Sequence, residues 1–205
     1  MIFVKVCGIT NLDDALDAVE FGADAVGFNF YKDSPRYIDP ERVLEILEDL
    51  PPAVAKVGVF VNEKEEAVKG ISQFLSLDFL QFHGDETPYY CEQFATPYWK
   101  AFRLKDEQTL ELIGKYKPDA FLIDAYVQKM WGGTGVTAHW DLAARVKEKG
   151  RIILAGGLRP ENVEMAIATV KPYGIDVCSG VEEKPGRKDH YKLEEFLRKA
   201  KGATT

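Results

Sequence analysis

Cys7 stands two residues after Lys5, at the end of the apolar run Phe3 to Cys7. Strand alternation puts these two side chains on one face and Val4 and Val6 on the other. An ammonium beside a thiol favours the thiolate, so the pair could supply a general base. A cysteine is often only a small buried hydrophobe; its place at a strand's carboxyl end favours the functional reading. Asp124 ends another apolar run, Phe121 to Ile123. A carboxylate there is costly if buried alone. No helical pattern begins at once for it to cap, which favours an acid/base role. Two such groups facing each other suit proton transfer at two positions of one substrate. His83 ends Gln81-Phe82-His83-Gly84 and reads first as a substrate-lining residue, with a base or a rim hydrogen bond as alternatives. Arg36 sits in a loop and could clamp a carboxylate; a solvated surface charge is the competing reading.

Two glycine turns complete the chemistry. The run Ile152 to Leu154 stops at Gly156-Gly157, and Ile175 to Val177 stops at Ser179-Gly180. Small residues at strand ends let backbone N–H groups approach a ligand. A helix starting just after each turn would add donors and a partial positive charge. One such turn would read as an ordinary α/β connection. Two on consecutive strand ends favour a phosphate site formed by Gly156, Gly157, Ser179 and Gly180. Gly132-Gly133-Thr134-Gly135 lies in the longest connection, Ala125 to Ala138, which reads as a lid or as slack chain. Asn29 and Cys91 read as structural, and His139 and His190 belong to no constellation.

The elements that must position these residues alternate between strand-like and helix-like along the whole chain. Eight βα units at roughly 25-residue spacing predict a (β/α)8 TIM barrel, a single α/β domain over residues 1–205. An open doubly wound sheet is the rival, but no G-x-G-x-x-G follows the first strand. Asn11 and Asp39 are placed as helix N-caps, with Pro40 in a first turn. In a closed barrel the first and eighth strands are neighbours. Lys5 and Asp176, both at inward-facing positions, are therefore expected to pair.

The chain has 205 residues, a net charge of −7 and three cysteines. The charge argues against nucleic acid or an anionic membrane as partner, so an anionic small-molecule substrate would need local positive features. The cysteines are odd in number and lack metal-ligand spacing, which predicts reduced thiols, no metal and a cytoplasmic setting. No cofactor is expected. The N-terminal residues enter a strand directly, leaving no room for a signal peptide, and no apolar run approaches membrane-spanning length. Monomer and homodimer both remain open.

The motifs resemble those of one family, the phosphoribosylanthranilate isomerases of tryptophan biosynthesis. The resemblance rests on KVCGIT (5–10), GADAVGFNFYKDSPRYI (22–38), VGVFVN (57–62), LQFHGDE (80–86), LIDA (122–125), GGTGVTAHWD (132–141), LAGGLRPENV (154–163) and DVCSGVE (176–182). It implies a cofactor-free Amadori rearrangement of N-(5-phosphoribosyl)anthranilate. It also implies Asp124 as general acid on the ring oxygen, Cys7 as base at C2, Arg36 on the anthranilate carboxylate, and the glycine turns on the phosphate. One departure is Cys178-Ser179, where the family usually has two serines. Related readings are a sugar-phosphate epimerase, which would need metal-binding histidines, an indole-glycerol-phosphate synthase, and a non-catalytic phosphate-ligand sensor. Retention of both Cys7 and Asp124 speaks against the sensor.

Overall fold

The computed structural model describes residues 1–104, 106–124, 140 and 143–203. The glycine loop at 132–135, His139 and Leu142 lie outside them. Eight strands close in chain order into one barrel, every neighbouring pair parallel. They are β1 (Phe3–Cys7), β2 (Ala25–Asn29), β3 (Ala55–Phe60), β4 (Phe79–Phe82), β5 (Tyr98–Arg103), β6 (Ala120–Asp124), β7 (Ile152–Ala155) and β8 (Gly174–Val177). Parallel neighbours cannot be joined by a tight turn, so helices carry the chain back. These include Leu12–Glu20, Pro40–Glu48, Glu65–Leu75, Pro88–Cys91, Glu107–Ile113, Val163–Val170 and His190–Gly202. Among the described residues, no helix is long and apolar enough to cross a membrane.

Local chemistry explains where the helices start. The Asn11 side chain accepts from the Asp14 N–H at 2.9 Å, a cap that satisfies one otherwise orphaned donor. Asp39 departs from the expectation. Its carboxylate makes no capping bond and instead accepts from the Tyr37 hydroxyl at 2.7 Å, leaving Pro40 to preset the first turn. The last helix runs from His190 through Gly202. Leu193, Phe196, Leu197 and Ala200 recur at i, i+3, i+4 and i+7, and all are fully buried. The larger three contribute about 1.5–3 kcal/mol each by the usual measure of side-chain burial.

Strand alternation divides the core in two. Val4, Val6, Val26 and Phe28 face outward into the layer shared with the helices. Phe3, Phe79 and Trp99 fill the amino-terminal end of the barrel, with the Trp99 ring 6.0 Å from Phe3 and 4.8 Å from Phe79. Above this apolar plug the interior turns polar. Lys5 is fully buried and its Nζ lies 2.8 Å from Asp176 Oδ1, as alternation and strand order predicted. Gly27 on β2 makes room for it. A Cβ there would sit 2.8 Å from Lys5 Cε and 3.0 Å from Cys7 Sγ.

Candidate active site

At the carboxyl ends of the strands lies a cavity of about 220 Å³. Cys7, Arg36, His83, Asp124, Gly156, Gly157, Ser179 and Gly180 all line it. Sequence reasoning singled out these eight, and the barrel brings them together because every strand delivers its carboxyl end to the same rim. Asn29, Gln81, Asp176 and Cys178 also face the cavity.

Cys7 is buried at the cavity floor on β1, with Lys5 one pleat below. A hydrogen bond from the Cys178 thiol, followed by the Lys5 and Lys188 ammonium groups, holds its pKa well below the ordinary thiol value against the opposing effect of burial. The same contact, reinforced by burial, pushes Cys178 well above it. The interaction between the two thiols thus favours charge on Cys7 and opposes it on Cys178. Burial opposes charge on Lys5, but the neighbouring Asp176 and Cys7 outweigh it and raise its pKa. Burial also pushes Asp176 up to about 6, against the pull of Lys5.

Asp124 ends β6, half-buried, three strands round the ring from Cys7 by way of β7 and β8. Its backbone carbonyl accepts from Leu104 N–H at 3.3 Å, which fixes the end of the strand. His83 follows β4 and opens to the cavity. Gln81 Nε2 lies 2.9 Å from His83 Nδ1. Desolvation lowers the imidazole pKa, and since an amide nitrogen can only donate, Nδ1 accepts this bond. Gln81 is almost completely buried, and its Oε1 has no hydrogen-bond partner among the described residues.

Arg36 is less free than a loop arginine reads in sequence. Its Nε and Nη2 engage Glu182 at 2.8 and 2.6 Å, a bidentate clasp that aims the rest of the guanidinium. Asn29 supports the same loop, accepting from Tyr31 N–H at 2.9 Å and meeting Ser34 Oγ at 3.1 Å. Glu182 is buried. Desolvation would raise its pKa, yet Arg36 and Lys188 prevail and lower it. Lys188 Nζ sits 3.1 Å from Glu182 Oε1 and donates to the Cys7 carbonyl at 2.6 Å. Glu182–Lys184 and Arg187–Lys188 form a small antiparallel hairpin beyond β8. It is bound to the first βα unit through Arg187 to Asn11 at 2.9 Å, Lys188 N–H to Asp14 at 2.7 Å, and the Thr10 hydroxyl to the Gly186 carbonyl.

The two glycine turns meet at one end of the cavity. Gly156 and Gly157 have φ of 89° and 63°, a region that favours glycine. The expected helix does not follow them directly. Val163–Val170 starts six residues later, while Asn162 ties the intervening loop by donating to the Gly157 carbonyl at 3.0 Å. After β8 only a single 3-10 turn, Ser179–Val181, follows. Donors here are accordingly loop N–H groups. Gly180 packs so closely that an added Cβ would lie 1.8 Å from the Leu158 carbonyl oxygen. Gly180→Ala is expected to lower stability by about 1–3 kcal/mol through this overpacking. Urea unfolding checks it; an unchanged midpoint would mean the two turns separate without cost.

Sequence reasoning missed Gln81, Glu182 and Lys188. Gln81 was legible as a polar residue inside the apolar run Phe79 to Phe82, which alternation turns inward. Among the described residues, no group of three or more His, Cys, Asp or Glu is placed to hold a metal ion.

Comparison with known proteins agrees with this fold. Residues 4–199 match the family model of N-(5'phosphoribosyl)anthranilate (PRA) isomerase. The chain is 50% identical over 202 residues to N-(5'-phosphoribosyl)anthranilate isomerase of Geobacter sulfurreducens, covering 98% of this chain and 100% of that one. It is similar to the crystal structure of phosphoribosyl anthranilate isomerase from Thermotoga maritima, with a TM-score of 0.91, 43% identity, and coverage of 98% and 100%. A second solved isomerase, in complex with reduced 1-(o-carboxyphenylamino)-1-deoxyribulose 5-phosphate, superimposes with a TM-score of 0.88 and 41% identity, again over 98% and 100%.

Proposed function

The chain belongs to the N-(5'-phosphoribosyl)anthranilate isomerase family, and on that premise we propose how its cavity performs the reaction. The substrate is N-(5-phosphoribosyl)anthranilate and the product 1-(2-carboxyphenylamino)-1-deoxyribulose 5-phosphate, a step of tryptophan biosynthesis. The observation that carries this reading is the placement of Cys7 and Asp124 around one cavity, with the glycine turns and Arg36 on the same rim.

Asp124 donates a proton to the furanose ring oxygen as the C1–O bond breaks, and the anilino nitrogen supplies the electron pair. The product of this step is an open-chain Schiff base with C2 now acidic. The Cys7 thiolate removes the C2 proton, giving an enolamine. Transfer of the enol proton from oxygen to C1 gives the ketone. Each proton transfer uses a positioned group, worth typically 10²–10⁴-fold. The lowered pKa of Cys7 supports its role, because a thiol in the ordinary range would be mostly protonated at neutral pH. No cofactor enters these steps.

The phosphate sits against Gly156, Gly157, Ser179 and Gly180, held by backbone N–H groups. Arg36 takes the anthranilate carboxylate, and His83 lines the space between the reacting centres. Arg36→Ala is then expected to raise KM more than it lowers kcat, because that carboxylate keeps its charge throughout the reaction. Steady-state kinetics decide it. A large fall in kcat at saturating substrate with unchanged KM would instead place Arg36 in the chemical step.

The activity itself is tested by adding purified protein to freshly formed N-(5-phosphoribosyl)anthranilate and following the decay of anthranilate-type fluorescence. Decay proportional to enzyme concentration supports the reading. No decay beyond the spontaneous rate would overturn it.

A further inference from the structure

The cavity floor holds two thiols where the reaction proposed above uses one. Lys5 and Asp176 are register partners on β1 and β8, and so are Val6 and Val177. Cys7 is the last residue of β1, and Cys178 directly follows the last residue of β8. Parallel neighbours lie about 4.8 Å apart, inside the 4.4–6.8 Å Cα separation that a disulfide spans. Both side chains border the cavity above the bonded Lys5–Asp176 pair, and the two thiols interact with each other. Cys178 is only partly buried. Lys188 Nζ donates to the backbone carbonyls of both cysteines, at 2.6 and 3.3 Å, and lies 3.9 Å from Cys178 Sγ. The two strand ends are thus pinned together by one side chain.

We propose that Cys7 and Cys178 are a modification site, a thiol pair that hydroperoxides convert to a reversible disulfide across β1 and β8. The Cys7 thiolate attacks the terminal oxygen of the hydroperoxide, breaking the O–O bond and giving a sulfenic acid and an alcohol or water. Cys178 then attacks the Cys7 sulfur, the S–S bond forms, and the sulfenic oxygen leaves as water. Cys7 and Cys178 are each oxidised by one electron, and the hydroperoxide is reduced by two. The chemistry favours this order. The depressed thiol reacts first, and a neighbouring thiol resolves it before it reaches the irreversible sulfinic acid. A serine at position 178 could not resolve it. Oxidation removes the thiolate that takes the C2 proton, so the disulfide form is inactive. This consequence for activity rests on the catalytic reading of Cys7; the bond itself does not.

The test treats the full-length protein with a modest excess of hydrogen peroxide. It follows intact mass, a peptide map and turnover, before and after dithiothreitol. The expected result is a loss of about 2 Da for the two hydrogens removed. A peptide joining Cys7 to Cys178 should appear, with turnover lost in proportion and restored by dithiothreitol. Cys91, in the helix Pro88–Cys91 with a thiol that burial pushes up to about 12, should stay reduced. Cys178→Ser should instead accumulate one- and two-oxygen adducts on Cys7, the latter not recovered by dithiothreitol. If that variant does not fold, the wild-type map alone decides. Sulfinic Cys7 in wild type without a joined peptide overturns the proposal. A joined peptide with turnover intact sustains the disulfide and overturns the catalytic role of Cys7.

Discussion

Cys7→Ala and Asp124→Asn are each expected to lower turnover on the order of 10²-fold or more, the usual worth of a positioned proton carrier. The first removes the group proposed as the base at C2. The second keeps the shape of the side chain at the end of β6 but removes the transferable proton. The double variant should lose less than the product of the single losses, because both groups serve one sequence of steps. Cys7 also sets a pH signature. Its pKa is held well below the ordinary 9.0 by Cys178, with Lys5 and Lys188 behind it. Activity that needs the thiolate is present above the lowered pKa and falls as pH drops through it. The acid limb of the profile should therefore lie well under the ordinary thiol range. Turnover measured across pH, with folding checked by circular dichroism, tests all of this. Near-wild-type turnover in either single variant removes that residue from the mechanism.

The largest effect on stability is expected from Lys5→Met. Lys5 is wholly buried and its ammonium meets Asp176 inside the barrel. Removing one partner of such a pair leaves a buried carboxylate uncompensated, typically a loss of about 3–5 kcal/mol. Adding Asp176→Asn should restore part of it, because the orphaned charge is then gone. The pH dependence has a definite sign. Asp176 has a folded pKa of about 6 against 3.8 in the unfolded chain, so the folded state binds the proton more tightly. Its contribution is most favourable below 3.8 and is lost as pH rises through about 6. The Lys5 contribution runs over a different window. It is present below the unfolded value of 10.5 and lost only as pH rises through its raised folded value. Without Lys5 the carboxylate is still harder to ionise. The penalty of Lys5→Met should shrink as pH falls to about 6 and below, where Asp176 takes up its proton. Urea unfolding at two pH values checks the prediction, and a loss under 1 kcal/mol at both would show that water reaches Asp176.

Much of this site is legible in the chain because a barrel converts order into position. Alternation fixes which side of β1 carries Lys5 and Cys7, and closure fixes β8 as its neighbour. Those two rules suffice for the Lys5–Asp176 pair. The same rules gather Asp124, His83 and the glycine turns at one rim. Other features depend on contacts that no local pattern encodes. Arg36 and Glu182 are 146 residues apart, and nothing in either neighbourhood announces the other. The hairpin Glu182–Lys188 carries charge, proline and glycine with no apolar period, so it reads as loop. The fourth helix is a single turn, Pro88–Cys91, begun by Thr87 accepting from the Tyr90 N–H at 3.2 Å. Phe94, three residues beyond it, extends the apparent pattern. After Gly157, Pro160 and the Asn162 side chain hold the backbone in a loop for several residues, which the apolar pattern alone does not register.

The hairpin beyond β8 has a consequence for synthesis on the ribosome. Its Lys188 and Arg187 grip Cys7, Asn11 and Asp14, residues that leave the ribosome first. Asp176, the partner of Lys5, also emerges late. A nascent chain that has completed seven βα units still has an unmatched ammonium on its first strand and an open seam beside it. It also lacks one of its two glycine turns. The polypeptide therefore gains its chemistry in one late event, when the tail of the chain returns to its head. Incomplete translation products carry Cys7 and Asp124 but no assembled pocket. Termination before Gly174 would leave the fragment without β8, the partner of Lys5 and the second glycine turn, and so with an unsealed barrel.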